Sequence, residues 1–97
     1  MGNQFAGDWN TTWNNVKGGT TKMHINDNGT GNYDFQAGRL VGEFKNSNSV
    51  YEGYWSQDGN QAVGTFKFTL AANGTWSGDF TYTHPRGSGG PWSGNRA

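Results

Sequence analysis

The sequence has no cysteine, only two prolines and no net charge. The absence of cysteine excludes disulfide bridges, thiol catalysis and thiolate metal sites, and it leaves the redox compartment open. Seven Lys and Arg residues balance seven Asp and Glu residues, so the chain lacks the clustered positive charge with which proteins bind nucleic acid. No apolar run is long enough to span a bilayer, and no charged-then-apolar leader follows Met1. We therefore expect neither a membrane span nor a signal peptide, and the cellular location stays unassigned.

Aliphatic side chains are also scarce, because Leu, Ile and Val together number seven in 97 residues. In their place the chain has 17 glycines, five Trp, four Tyr and six Phe. Disordered chains are poor in aromatic residues, and a chain of this length has no room for two separate cores. We therefore expect one folded domain over residues 1–97, with a core of aromatic rings packed on glycine.

A glycine followed two residues later by an aromatic residue recurs along the chain. The instances are Gly7–Trp9, Gly31–Tyr33, Gly42–Phe44, Gly53–Trp55, Gly64–Phe66, Gly74–Trp76 and Gly78–Phe80. The glycines at 31, 42, 53 and 64 follow one another at intervals of 11 residues. Such an interval fits a strand of about seven residues and a turn of about four, whereas helical repeats need longer periods. Because no 3.6-residue stripe is present either, the pattern predicts an all-β meander.

Alternation with period two assigns the side chains of each strand to two faces. It predicts eight strands, places 14 of the 15 aromatic residues on the inner face and leaves only Tyr54 outside. The inner-face aromatic residues are Phe5, Trp9 and Trp13 in strand one, Tyr33 and Phe35 in strand three, Phe44 in strand four, Tyr51 and Trp55 in strand five, Phe66 and Phe68 in strand six, Trp76, Phe80 and Tyr82 in strand seven, and Trp92 in strand eight. A small closed barrel crowds its interior, where glycine leaves space for a neighbouring ring. We therefore predict an eight-stranded antiparallel up-and-down meander barrel, with an open two-sheet β-sandwich as the alternative.

Turn-forming residues separate these runs. Segments 27–29, 58–60 and 73–74 contain Asp, Asn and Gly, which tolerate the positive φ of tight hairpins. Segment 46–49 has the composition of a polar hairpin loop. Segment 84–91 differs because it is long, glycine-rich and bounded by prolines, which stop strand pairing. We expect it to be a mobile loop that acts as a lid over the open end of the barrel.

The two ends of the chain carry a further pattern. Strand one contains Gly7-Asp8-Trp9, and the last strand contains Trp92-Ser93-Gly94-Asn95-Arg96. With the eight-strand meander, this resembles the calycin superfamily of small barrels, which includes lipocalins, fatty-acid-binding proteins and avidins; residues 7–13 are most similar to the first strand of avidins. The resemblance implies that Trp9 closes one end of the barrel and that Arg96 lies across its indole as a structural clasp. A guanidinium on an indole face contributes roughly 0.5–2 kcal/mol.

The sequence contains no recognisable catalytic or metal-binding set. His24 and His84 are the only histidines, and neither stands in a cluster of carboxylates, so we predict no metal site and no cofactor. Most carboxylates fall on outward positions, away from any pocket that could tune a general acid, and no serine stands in a nucleophile elbow. We therefore predict that the protein is not an enzyme.

Two functions remain open from the sequence. The first is a small-molecule-binding barrel that holds an apolar or amphipathic ligand at its open end, where hydroxyl and indole N–H groups orient the ligand within an apolar wall. The predicted ligand-binding residues are Trp13, Tyr33, Tyr51, Tyr82 and Trp92. The second is a carbohydrate-binding or protein-interaction module with a filled barrel, since eight short strands barely hold their own side chains and Tyr54 offers an outer contact. A scaffold subunit is a third alternative, and a homo-oligomer is compatible with each.

Overall fold

The computed structural model describes residues 4–13, 21–87 and 89–97. Within these ranges the chain forms eight strands: β1 (Gly7–Trp13), β2 (Thr21–Ile25), β3 (Thr30–Tyr33), β4 (Gly38–Lys45), β5 (Val50–Gln57), β6 (Ala62–Leu70), β7 (Trp76–His84) and β8 (Gly90–Arg96). Each strand pairs antiparallel with the next, and β8 pairs with β1. The predicted up-and-down barrel is confirmed, and the open sandwich is wrong because the β1–β8 pairing closes the sheet. Over the described ranges no helix is long and apolar enough to cross a membrane.

The alternating strand directions give the barrel two distinct ends. The odd-numbered strands run towards one end, which we call the mouth, and the even-numbered strands run towards the other, which we call the closed end. The mouth carries the connections 34–37, 58–61 and 85–89. The closed end carries the connections 26–29, 46–49 and 71–75. An inner side chain therefore lies near the mouth when it stands late in an odd strand or early in an even one.

Aromatic rings fill the barrel, as the alternation predicts. Trp9, Trp55 and Trp76 are each at most 2% exposed, and the Phe68 ring stacks on Trp76 with centroids 3.9 Å apart. The other buried aromatic residues are Phe5, Tyr33, Tyr51, Phe66, Phe80 and Trp92, with Trp13, Phe44 and Tyr82 partly buried against them. These rings replace the aliphatic core that the composition does not supply.

Glycine stands directly opposite an aromatic residue at several positions across the sheet. The pairs include Tyr33–Gly38, Trp55–Gly64, Phe66–Gly53, Phe68–Gly78 and Trp76–Gly94. A Cβ atom would lie 2.2 Å from the Tyr33 ring at Gly38, 2.7 Å from the Trp55 ring at Gly64 and 2.5 Å from the Trp76 ring at Gly94. Since no side chain fits at such distances, these rings occupy the space that a Cβ would need. The recurrent glycine of the sequence is therefore a packing device.

The third strand is shorter than the sequence predicts. It ends at Tyr33, and Phe35 lies in the 34–37 turn with 39% of its surface exposed, so its predicted inner-face position is wrong. The chain turns there because Tyr33 pairs with Gly38, the glycine on which its ring lies. Gln36 and Ala37 both take a φ of 52° to complete the turn.

The predicted turn chemistry is confirmed at two connections and wrong at a third. Gly29 and Gly74 have φ values of 92° and 87°, as tight hairpins require. In the 58–61 turn the positive φ falls on Gln61, outside the predicted 58–60 segment. Gly59 has a different role, since its N–H donates to the Gln36 carbonyl at 3.0 Å and links two turns of the mouth. The predicted 84–91 loop is also shorter, because β7 continues to His84 and β8 begins at Gly90.

The closed end is sealed by the segment that precedes β1. Phe5 is completely buried there, although the sequence places it in strand one, and its carbonyl accepts a hydrogen bond from the Trp9 indole at 2.7 Å. The Arg96 guanidinium carbon lies 4.0 Å from the Trp9 ring centroid. Arg96 also donates hydrogen bonds to the carbonyls of Ala6, at 2.9 Å, and Gln4. The last strand thereby holds the segment that carries Phe5.

Replacement of this arginine should weaken the seal. We expect Arg96→Ala to lower the melting temperature by about 4–10 °C, because it removes a cation–π contact and two hydrogen bonds, and 1 kcal/mol corresponds to about 4–8 °C in a domain of this size. Circular dichroism measures the shift. Arg86→Ala, at an exposed position of the 85–89 connection, is the control and should change the melting temperature by about 1 °C or less. An unchanged Arg96→Ala melting curve would show that Arg96 does not stabilise the closed end.

Candidate functional site

Four of the five predicted ligand-binding residues meet at the mouth. Trp13 and Tyr33 are the last residues of β1 and β3, and Trp92 pairs with Trp13 across the β1–β8 seam. The Trp92 ring centroid lies 5.9 Å from that of Trp13 and 5.4 Å from that of Tyr33, both edge-to-face. Tyr82 approaches from β7 and packs edge-to-face on Trp55 at 5.2 Å. We call these four residues the mouth rings.

Tyr51 lies away from the mouth rings. It is the second residue of β5, which starts at the closed end, and it is completely buried. Its ring stacks on Phe44 at 4.7 Å, and its hydroxyl donates to the Gly29 carbonyl at 2.8 Å. Burial raises the pKa of Tyr51 well above its usual range. This tyrosine therefore fastens the closed end to a hairpin turn.

Two residues that the sequence did not assign to the site also line the mouth. The Phe35 ring meets Trp13 edge-to-face at 5.0 Å, and Gln57 is the last residue of β5 and only 8% exposed. Gln57 Nε2 donates to the Tyr33 hydroxyl at 2.8 Å. Burial raises the pKa of Tyr33 to about 12, with the Gln57 hydrogen bond acting in the opposite direction. The Tyr33 hydroxyl therefore stays neutral at physiological pH.

Hydrogen bonds fix the floor of the mouth, whereas its rim is more exposed. The Trp92 indole donates to the Thr11 hydroxyl at 2.6 Å, and this hydroxyl donates to the Ser93 carbonyl at 2.7 Å. By contrast, Trp13 and Tyr82 are only half-buried. The mouth thus combines an anchored base with a partly exposed rim.

The mouth rings leave very little empty space. The gap between them, Phe35 and Gln57, with Trp55 and Phe80 below, measures about 20 Å³. One water molecule needs roughly 10–15 Å³ by this kind of measure, and small-molecule sites measure about 300–1,000 Å³. The barrel interior is therefore filled, and a ligand at the mouth has to rest on the rings or displace some of them.

A larger concave surface lies on the outside of the barrel, across β4, β5, β6 and β7. It encloses about 740 Å³, and we call it the outer groove. Its outward-facing residues are Val41, Glu43, Lys45, Glu52, Tyr54, Thr65, Lys67, Asp79 and Thr81. The strand register arranges eight of them in two rows, Val41–Tyr54–Thr65–Thr81 and Glu43–Glu52–Lys67–Asp79. The first row is uncharged and the second is charged.

The two rows differ in their contacts. In the uncharged row, Tyr54 and Val41 are 69% and 61% exposed, and the Thr65 and Thr81 hydroxyls lie 2.5 Å apart. Beside the charged row, Lys45 Nζ lies 2.7 Å from a Glu52 carboxylate oxygen and 4.0 Å from one of Glu43. The Lys45–Glu52 hydrogen bond raises the pKa of Lys45 and lowers that of Glu52, so this pair is fully ionised at neutral pH.

A third cluster of polar side chains, away from the mouth and the outer groove, surrounds His24. His24 Nδ1 lies 2.8 Å from an Asp8 carboxylate oxygen and Nε2 lies 2.9 Å from the Asn26 side-chain oxygen. The Asp8 hydrogen bond raises the pKa of His24 above its ordinary value near 6.5, and the cluster lies on the partly exposed outside of β1 and β2. In the part of the chain that the structure describes, no group of three or more His, Asp or Glu side chains could hold a metal ion.

The closed barrel of eight antiparallel strands is compatible, at a coarse level, with the resemblance to calycins. The mouth rings and the outer groove are the two surfaces from which a function can be argued. Comparisons of the chain with protein-family profiles, with curated proteins and with solved structures found no match.

Proposed function

We propose that the protein is a non-enzymatic ligand-binding barrel that holds one small, flat, apolar or amphipathic molecule at its mouth. The observation that carries the proposal is the convergence of Trp13, Tyr33, Tyr82 and Trp92 at one end of a barrel whose other end is sealed. An apolar wall with a few placed polar groups is the ordinary composition of a small-molecule site. The resemblance to the calycin barrels, including avidins and lipocalins, supports the same function.

The filled interior limits the size and position of the ligand. A gap of about 20 Å³ does not accommodate a fatty-acid chain within the barrel. The ligand instead lies on Trp92 and Tyr33. Trp13 and Phe35 shift outward to admit it and then pack against its edges, since Phe35 stands in a turn and Trp13 ends its strand. Tyr51 takes no part in this site.

One polar pair gives the mouth a means of orienting its ligand. The Tyr33 hydroxyl accepts a hydrogen bond from Gln57, so its own hydrogen can donate to an acceptor on the ligand. Because the pKa of Tyr33 is raised to about 12, this donor keeps its hydrogen throughout the physiological range. A ligand with one acceptor at the edge of a flat apolar body fits these groups best.

The residues of the mouth support a binding role without catalysis. The eight described residues around the gap are Trp13, Tyr33, Phe35, Trp55, Gln57, Phe80, Tyr82 and Trp92. This set contains no carboxylate and no histidine, the groups that most often act as general acid or base. The function that we propose is therefore binding alone.

Fluorescence titration with anilinonaphthalene sulfonate and a panel of planar aromatic compounds tests the mouth site. We expect saturable binding that quenches the tryptophans, and we expect Trp13→Ala to weaken it at least tenfold, about 1.4 kcal/mol, because the variant removes one wall of the site. Tyr54→Ala, on the outer groove, is the control and should bind as wild type does. Failure of every compound to bind saturably, or equal binding by Trp13→Ala and wild type, would contradict the proposal.

A separate observation favours the second function predicted from the sequence, a carbohydrate-binding or protein-interaction module with a filled barrel. The interior is filled, while the outer groove offers about 740 Å³ around an exposed tyrosine. This candidate requires no movement of the core rings. It does not depend on the mouth, so the two functions can be tested independently.

A further inference from the structure

We infer that the outer groove is a binding site for a neutral glycan, with one sugar ring stacked on Tyr54 and its hydroxyls hydrogen-bonded to the charged row. The inference rests on the second candidate function above and not on the mouth site.

The shape of the groove follows from the glycines of its floor. Gly42 and Gly53 face each other across β4 and β5, and a Cβ on Gly53 would lie 2.1 Å from the Val41 carbonyl oxygen and 2.5 Å from Gly42 Cα. Backbones that approach this closely allow strong local coiling of the sheet. Such coiling can bend the outer surface of the sheet inward at this point, where the groove lies.

Tyr54 provides the apolar platform that sugar recognition needs. Its ring is 69% exposed and stands in a central strand of the groove, with Val41 opposite it on one side and Thr65 on the other. A pyranose ring has an apolar face of C–H groups and an edge of hydroxyls, so it stacks on an aromatic ring while its edge remains available for hydrogen bonds. Aromatic side chains with a polar tip suit such a half-wet surface.

The charged row lies at the right distance from that platform. Glu52 precedes Tyr54 by two residues on the same face of β5, so their Cα atoms lie about 7 Å apart. When a sugar ring is stacked on Tyr54, this spacing brings the Glu52 carboxylate close to the hydroxyls at the edge of that ring. Glu43 and Lys67 flank Glu52 in register. Carboxylates accept and ammonium groups donate hydrogen bonds, so this row can satisfy hydroxyls of both orientations. The Lys45–Glu52 contact of 2.7 Å holds the central carboxylate in place.

The composition of the groove favours a neutral glycan over a nucleic acid, a lipid surface or a protein partner. Three carboxylates and two ammonium groups nearly balance, which does not suit a nucleic acid or an anionic lipid surface. Protein interfaces have apolar centres depleted of charge, whereas here the charged row adjoins the only two exposed large apolar side chains of the groove that the structure describes, Val41 and Tyr54. A polyhydroxylated ligand without charge uses both rows at once.

Isothermal titration with tetrasaccharides of glucose, xylose, mannose and N-acetylglucosamine tests the inference. At least one is expected to bind wild type, Tyr54→Ala to weaken that binding at least tenfold, and Tyr54→Phe to keep it within about threefold because the ring is retained. Phe35→Ala removes an exposed aromatic ring at the mouth and is the matched control, expected to bind glycan as wild type does. Circular dichroism establishes that each variant is folded.

Three results would overturn the inference. One is the absence of binding to all four tetrasaccharides at millimolar concentration. Another is glycan binding that Tyr54→Ala leaves unchanged. The third is a change of oligomeric state in Tyr54→Ala, measured by size-exclusion chromatography with light scattering, in place of a change in glycan binding; this would make the groove a contact between copies of the chain. Titration of the same variants with anilinonaphthalene sulfonate reports on the mouth separately, so failure of one site is distinguishable from failure of the other.

Discussion

Gly64→Ala is expected to prevent folding or to lower the free energy of unfolding by about 3 kcal/mol or more. A Cβ atom on Gly64 would stand 1.8 Å from the Thr81 carbonyl oxygen and 2.7 Å from the Trp55 ring. The oxygen belongs to the backbone of β7, which cannot retreat without breaking its pairing with β6. Domains of this kind have about 5–15 kcal/mol of stability in total, so one added methyl group removes a large share of it.

Urea denaturation followed by tryptophan fluorescence measures this loss. The control is Gly74→Asn. Nothing lies within 4 Å of a Cβ at Gly74, so the cost comes from the positive φ of 87° alone, and Asn adopts such a φ more readily than most residues. We expect this control to lower the free energy of unfolding by about 1 kcal/mol or less. A Gly64→Ala variant that unfolds at the wild-type urea concentration would show that the strands do not approach as closely as described.

Gly94→Ala has the second-largest expected effect, a loss of about 2–3 kcal/mol. Here the three atoms nearest to the Cβ all belong to the Trp76 indole and lie 2.5–2.8 Å away. The indole would have to leave its stack on Phe68 and its edge-to-face contact with Trp9. The cost therefore comes from displaced rings, whereas at Gly64 it comes mainly from the backbone.

Urea denaturation also measures the Gly94→Ala effect. Ser93→Ala is the control on the same strand, because Ser93 is exposed and faces outward; it should cost about 0.5 kcal/mol or less. A Gly94→Ala variant as stable as this control would contradict the packing of Trp76 on Gly94.

Most of the fold could be predicted from the sequence because one local rule determines it. Most glycines that stand two residues from an aromatic residue lie with it on the inner face, Gly74 in the 71–75 turn being an exception, and such alternation fits a barrel as narrow as this one. The rule fails at Phe35, where Tyr33-Asp34-Phe35 continues the alternation but the chain turns. Gln36 and Ala37 adopt positive φ there, and neither residue type signals such a turn. The pairing of Tyr33 with Gly38 across the β3–β4 hairpin decides where the strand ends.

The candidate sites could be predicted only in part. Tyr33 and Tyr51 both face inward, but Tyr33 ends an odd strand and Tyr51 begins one, so they lie at opposite ends of the barrel. In a meander the odd-numbered strands all run in the same direction, so the positions of Tyr33 and Tyr51 within their strands could have placed them at opposite ends from the sequence alone. Gln57 could also have been found, since it continues the inner face of Trp55. For the outer groove, the sequence indicated only Tyr54. The two rows of the groove depend on how four strands are aligned, and no local sequence pattern predicts that alignment.

If aromatic rings fill this barrel by lying on bare glycine backbone, the effects of Gly94→Ala and Trp76→Phe on the free energy of unfolding should be coupled. Urea denaturation of wild type, Gly94→Ala, Trp76→Phe and the double variant measures this coupling. The smaller phenyl ring leaves room for the new methyl group, and it also removes an indole N–H that is buried without a hydrogen-bond partner in the described part of the chain. We predict that the loss of unfolding free energy in the double variant is about 1–2 kcal/mol smaller than the sum of the losses in the two single variants. Additive losses, within about 0.5 kcal/mol, would contradict the account.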